Sequence, residues 1–145
     1  MGIDVSPFSH LLYELRTRRD IRQADLADLL GYEQSYISAL EVGLKGPPTD
    51  EFVSRLIQAL SLSQVDENRL LAAVQASQRK LVIDSDAPPD IYWLLNDLRS
   101  EVKCLKPGQV RMIREILGLR ETLSEERPEP LRRLKRRSRK EEATM

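Results

Sequence analysis

One cysteine and one histidine in 145 residues leave little for metal or redox chemistry. The single Cys104 excludes an internal disulfide and any thiolate zinc cluster. His10, the only histidine, excludes a His-based metal site or a Cys-His nucleophilic pair of ordinary design. The acids Asp84 and Asp86 stand in a proline-rich linker with no nucleophile, phosphate loop or metal constellation around them, so the chain reads as no enzyme and no cofactor is expected. Cys104 closes an apolar helical pattern and reads as a small packed hydrophobe; His10 reads as a surface or half-buried side chain of the first helix.

Long apolar runs are missing as well. None approaches the roughly 18 to 20 residues needed to span a bilayer. The N-terminus lacks a basic start followed by an apolar stretch and a small-residue cleavage site, so a cytoplasmic protein is expected. Met1-Gly2 with Ser6 superficially fits an acylation pattern, but no basic patch accompanies it and one acyl chain gives only marginal membrane binding. Alternating β-branched runs are also absent, which leaves helical spacing as the dominant pattern.

What is present is charge: 23 basic and 23 acidic residues, unevenly placed. Residues 127–145 hold eight basic against three acidic residues, so the other 126 residues carry fifteen against twenty. A basic tail behind an acidic body fits either a nucleic-acid tether or a solvated arm with no partner. The stretch 124–145 is expected to be disordered without DNA.

The fold class read from this pattern is all-α: a five-helix module, then a helical hairpin, then the basic tail. Ser6-Pro7 pairs a capping residue with proline at the first helical position and opens a helix to about Arg18, with Phe8, Leu11, Leu12 and Leu15 on one side. Short helices follow at about 23–30 and 34–41, separated at Gly31. Thr49 caps a fourth helix to about Leu60, where Asp50 and Glu51 suit the positive end of its dipole. Ser63 starts a fifth, expected to reach about Val82.

The acids, serine and prolines of 84–89 make the best boundary, between a module at 6–83 and a hairpin at 90–123. In the hairpin, Ile91, Leu94, Leu95, Leu98, Val102 and Leu105 recur at helical spacing, as do Val110, Ile113, Ile116, Leu117 and Leu123 after Pro107-Gly108. One hairpin buries too little apolar area to stand alone, so it is expected to dock on the module or on a second copy, or to hold a protein partner. Tyr92 and Trp93 suit either a core or an interface.

The stretch 23–42, QADLADLLGYEQSYISALEV, is the informative part. Two helices meeting sharply need a small residue where their axes come closest, supplied by Ala27, and a residue tolerant of positive φ in the turn, supplied by Gly31. Leu26, Leu30, Ile37 and Leu40 then point into a shared core. These offsets, flanked by further amphipathic helices, specify a helix-turn-helix.

From about Leu11 to Val74 the chain resembles the helix-turn-helix family named for the lambdoid phage repressors and Cro. The resemblance implies that Gln23 opens the second helix and contacts a DNA phosphate, that the third helix lies in the major groove, and that Arg16 and Glu41 form a partly buried salt bridge. On the third helix the residues expected to face away from Ile37 and Leu40 are Glu33, Gln34, Ser35, Tyr36, Ser38 and Ala39. Gln34 is the prime base reader, because a carboxamide donates and accepts bidentately to adenine. Ser35, Tyr36 and Ser38 are candidate short-reach contacts, and Ala39 suits only a thymine methyl. Arg18, Arg19, Arg22 and Lys45 would flank the groove and meet phosphates.

The chain departs from the family in two respects. Val42 stands where a basic or polar residue is common, and the third helix has no Arg or Lys. Affinity per module should then be modest, which a homodimer on a two-fold-symmetric site, the basic tail, or both would offset. The function expected is a double-stranded-DNA-binding transcriptional regulator, most simply a repressor. The competing class is a protein-interaction module, such as an antitoxin or adaptor, for which the acidic body and the missing arginines speak.

Overall fold

The structure, a computed structural model, describes residues 5–119, and among these the only regular elements are helices. Seven run in the order α1 (Pro7–Thr17), α2 (Gln23–Leu30), α3 (Gln34–Glu41), α4 (Asp50–Ala59), α5 (Gln64–Ala76), α6 (Pro89–Glu101) and α7 (Pro107–Leu117). The chain divides into two units, the first ending at Val82 and the second beginning at Ile83.

In the first unit the helix starts follow from the sequence. Ser6, Thr49 and Ser63 each sit in extended backbone with the side chain accepting from an amide of the first turn, and Pro7 needs no such partner. The apolar faces of α1, α2, α3 and α4 close on Phe8, Leu12, Leu15, Leu26, Ile37, Leu40, Phe52 and Leu56, with Leu70 added from α5. The Phe8 and Phe52 rings meet edge to face, with centroids 6.3 Å apart. This core fixes α3 with one side buried against α1 and α2.

Two expectations are corrected here. The fifth helix was expected to reach about Val82 but ends at Ala76, because Ser77 turns its hydroxyl inward. That hydroxyl donates to the Ala73 carbonyl at 2.6 Å and accepts from the Phe8 amide at 2.9 Å, and Arg79 then reaches the Gly43 carbonyl at 2.6 Å. The sixth helix, expected to about 105, ends at Glu101. Leu123 and the basic tail at 124–145 lie outside the described residues.

In the second unit α6 and α7 both start with proline in the first turn and are joined by residues 102–106. Neither helix buries a residue, and Trp93, Leu94, Ile116 and Leu117 are all more than half exposed. Cys104, expected to be packed, is exposed.

Candidate nucleic-acid interface

The turn between α2 and α3 is built as tightly as its residues allow. Gly31 takes the left-handed conformation at φ 75° and caps α2, while the Tyr32 amide donates to the Ala27 carbonyl at 3.0 Å. A Cβ on Gly31 would also stand 3.2 Å from Nη1 of Arg55. That guanidinium donates to the Leu30 carbonyl at 2.9 Å, lies over the Tyr32 ring and pairs with Glu51 at 2.7 Å, so α4 braces the turn from outside. Sequence reasoning missed the bracing role of Arg55, since the Leu30 carbonyl it holds is 25 residues away. Ala27, on α2, is buried.

On α3, Gln34 and Ser35 are exposed, and among the described residues no hydrogen bond engages either side chain. Ser38 and Ala39 are half-buried. Tyr36, expected on the outward face, is half-buried instead: its ring stacks on Tyr32 with centroids 5.2 Å apart and packs edge-on against Phe52 at 5.7 Å. Burial first, and Tyr32 beside it, raise the Tyr36 phenol above its ordinary value, so at neutral pH it stays a protonated O–H donor at the rim of α3. The Lys45 ammonium lies 5.6 Å from the same ring, in the loop directly after α3.

At the other end of α3, Glu41 is buried and accepts from three donors. Arg16 Nε approaches Glu41 Oε1 at 2.5 Å and Arg16 Nη2 approaches Oε2 at 3.1 Å, in a bidentate fork. Gln23 Nε2 donates to Glu41 Oε2 at 2.6 Å, and Arg16 Nη1 ties down the Ile21 carbonyl at 2.9 Å. The network therefore joins α1, the first residue of α2 and the last residue of α3. Beside it opens a cavity of about 520 Å³ lined in part by His10, Tyr13 and Val42. A carboxamide nitrogen carries two hydrogens, so Gln23 can hold Glu41 with one and present the other outward.

The remaining basic residues sit near the start of α2. Arg22 is exposed and pairs loosely with Asp25 at 3.1 Å; Arg18 pairs with Glu14 at 2.7 Å; Arg19 donates to the Leu15 carbonyl. Neither α2 nor α3 has a side-chain cap at its N-terminus, unlike α1, α4 and α5. No group of three or more His, Cys, Asp or Glu residues able to hold a metal ion occurs among the described residues.

Two short helices joined at a glycine turn, with a buried alanine on the first and an exposed polar side on the second, are the geometry of a known domain. Residues 7–70 match the family model for a helix-turn-helix domain. Over this segment the chain is similar to helix-turn-helix domains. The match takes in α1 through most of α5 and all the residues of the Arg16–Glu41–Gln23 network. A crystal structure of the clp gene regulator ClgR from C. glutamicum is similar at 21% identity and a TM-score of 0.41, covering 52% of this chain and 94% of that one. None of the curated proteins matches. No described helix is long and apolar enough to cross a membrane.

Proposed function

We propose that the chain is a sequence-specific double-stranded-DNA-binding transcriptional regulator of the phage repressor and Cro type, acting as a homodimeric repressor on a two-fold-symmetric operator. The observation that carries this reading is the outer side of α3. Gln34 and Ser35 stand exposed with their hydrogen-bonding groups unspent, on a helix held by Ile37, Leu40 and Glu41 behind it. In the proposed complex α3 lies in the major groove, Gln34 reads a base edge, and Ser35 and Ser38 make shorter contacts. Tyr36 contributes its phenol from the rim rather than its ring. The uncapped first turns of α2 and α3 leave amides directed at phosphate oxygens, with Gln23, Arg22 and Lys45 as side-chain donors to the backbone. Such a protein works in the cytoplasm at the nucleoid and requires no cofactor.

Selection from a random double-stranded pool at one fixed salt concentration tests this. Wild type is expected to enrich a two-fold-symmetric motif, and Gln34→Ala to lose preference at one position in each half-site, a discrimination of about 1–3 kcal/mol. If nothing is enriched, the chain is a protein-interaction module built on the same domain.

A further inference from the structure

We propose that Arg79, in the segment that follows α5, is a positioning residue for the DNA interface: it holds the loop after α3 in the shape that presents Lys45 to a phosphate. The inference deepens the proposed function and rests on its reading of Lys45.

The last carbonyls of a helix have no partner along the helix, and α3 has no basic residue in its last turn to serve them. The chain past Val42 supplies part of what is missing. Gly43 takes the left-handed conformation at φ 80°, and the Leu44 and Lys45 amides turn back to donate to the Ala39 carbonyl at 2.9 and 3.1 Å. The Gly43 carbonyl is served from outside: Arg79 Nη2 donates to it at 2.6 Å, across 36 residues of sequence. A guanidinium there also sets a positive charge at the negative end of the α3 dipole, which α3 itself does not provide.

Arg79 is fixed from behind. Two residues earlier Ser77 is buried, its hydroxyl tied to the Ala73 carbonyl and the Phe8 amide, so the segment leaves α5 on a set course. Lys45 follows Gly43 by two residues, with its ammonium over the Tyr36 ring at 5.6 Å from the centroid. Its side chain is exposed and its four-carbon stem is flexible, so the position of the loop backbone decides where the ammonium can reach. Releasing the Gly43 carbonyl therefore loosens the base from which Lys45 reaches out.

The test reads the loop and the DNA separately, on the full chain. Amide hydrogen exchange by NMR compares wild type with Arg79→Ala and with Lys80→Ala, which removes the same charge one residue on. Arg79→Ala should speed exchange at Leu44 and Lys45 by about tenfold or more, as a locally opened loop would. It should also remove the upfield displacement that the Tyr36 ring gives the Lys45 ε-methylene protons, and Lys80→Ala should do neither. Binding to the motif that wild type selects is then measured against salt. Lys45→Ala should reduce the steepness of log affinity against log salt by about 0.9 per chain. Arg79→Ala should reduce it in the same direction with the motif unchanged, and adding it to Lys45→Ala should reduce it no further, because both act through one contact. Unchanged exchange in Arg79→Ala, or an equal effect of Lys80→Ala, overturns the proposal. So do fully additive losses, which would make Arg79 a phosphate contact of its own. A wild type that selects no motif sinks the DNA reading and the Lys45 contact with it, whereas a selecting wild type whose binding is indifferent to Arg79→Ala sinks this proposal alone.

Discussion

Glu41 accepts from two side chains on two other elements, and its side chain is only 5% exposed. Truncating Arg16 to alanine removes the fork and leaves a buried carboxylate held by Gln23 alone. Breaking a buried pair costs more than deleting it, because one charge is stranded. Arg16 keeps 13% exposure, which puts the expected loss near the low end of the roughly 3–5 kcal/mol that breaking a buried pair costs. Arg16→Ala should destabilise the domain by about 3 kcal/mol and lower its Tm by roughly 10–20 °C. Arg16→Met combined with Glu41→Leu should lose less than the single change, and a thermal melt of all three proteins decides it. A single variant within two degrees of wild type would contradict the role given to the pair. Residue by residue, legibility varied with where the partners lie. Ile37 and Leu40 were readable from spacing alone, whereas Tyr36 was read as outward because its neighbours Tyr32 and Phe52 come from the turn and from α4. On an eight-residue helix a side chain 100° from the buried face goes either way, and only the tertiary neighbour decides.

Helix ends behaved in the same manner. Where the signal is local, a stop at Gly31 or a start at Ser6, Thr49 and Ser63, the element was legible from its own residues. The end of α5 was not, because Val74, Leu81 and Val82 continue an apolar pattern while the actual terminator is a hydrogen bond to Phe8, 69 residues away. Ser77 is 7% exposed and supplies the acceptor for an amide in the first turn of α1. Ser77→Ala should leave that amide unpaired in a buried place and cost about 1–2 kcal/mol. Urea denaturation should then show a lower midpoint at unchanged slope. A variant with the wild-type midpoint would mean that the ends of α1 and α5 are held by packing alone. At the turn, Gly31→Ala should cost about 1 kcal/mol or more: it forces a side chain into the left-handed region and crowds the Arg55 guanidinium that braces the Leu30 carbonyl. The same melt reads it.

At the scale of the whole chain the charges of body and tail oppose each other. Residues 1–126 carry five more acidic than basic residues, and α3 contributes no cation of its own to a polyanion. In the proposed complex, base reading by Gln34 would give preference among sequences but do little to draw the protein onto the backbone, a task that falls to neutralised phosphates. Arg22 and Lys45 are the cations proposed to meet phosphates beside α3, and Arg18 already faces Glu14. Residues 127–145 carry a five-charge surplus, so in the proposed complex the tail would supply electrostatic attraction that the acidic remainder of the chain lacks. Each phosphate neutralised adds about 0.9 to the slope of log affinity against log salt. If half of the eight basic residues engage, deleting 127–145 should lower that slope by roughly 3 to 4 per chain while the selected motif stays the same. An unchanged slope would show that the tail meets no phosphate and that the domain alone carries the salt dependence. A lowered slope with a changed motif would instead place some base reading in the tail, and move part of the specificity away from α3.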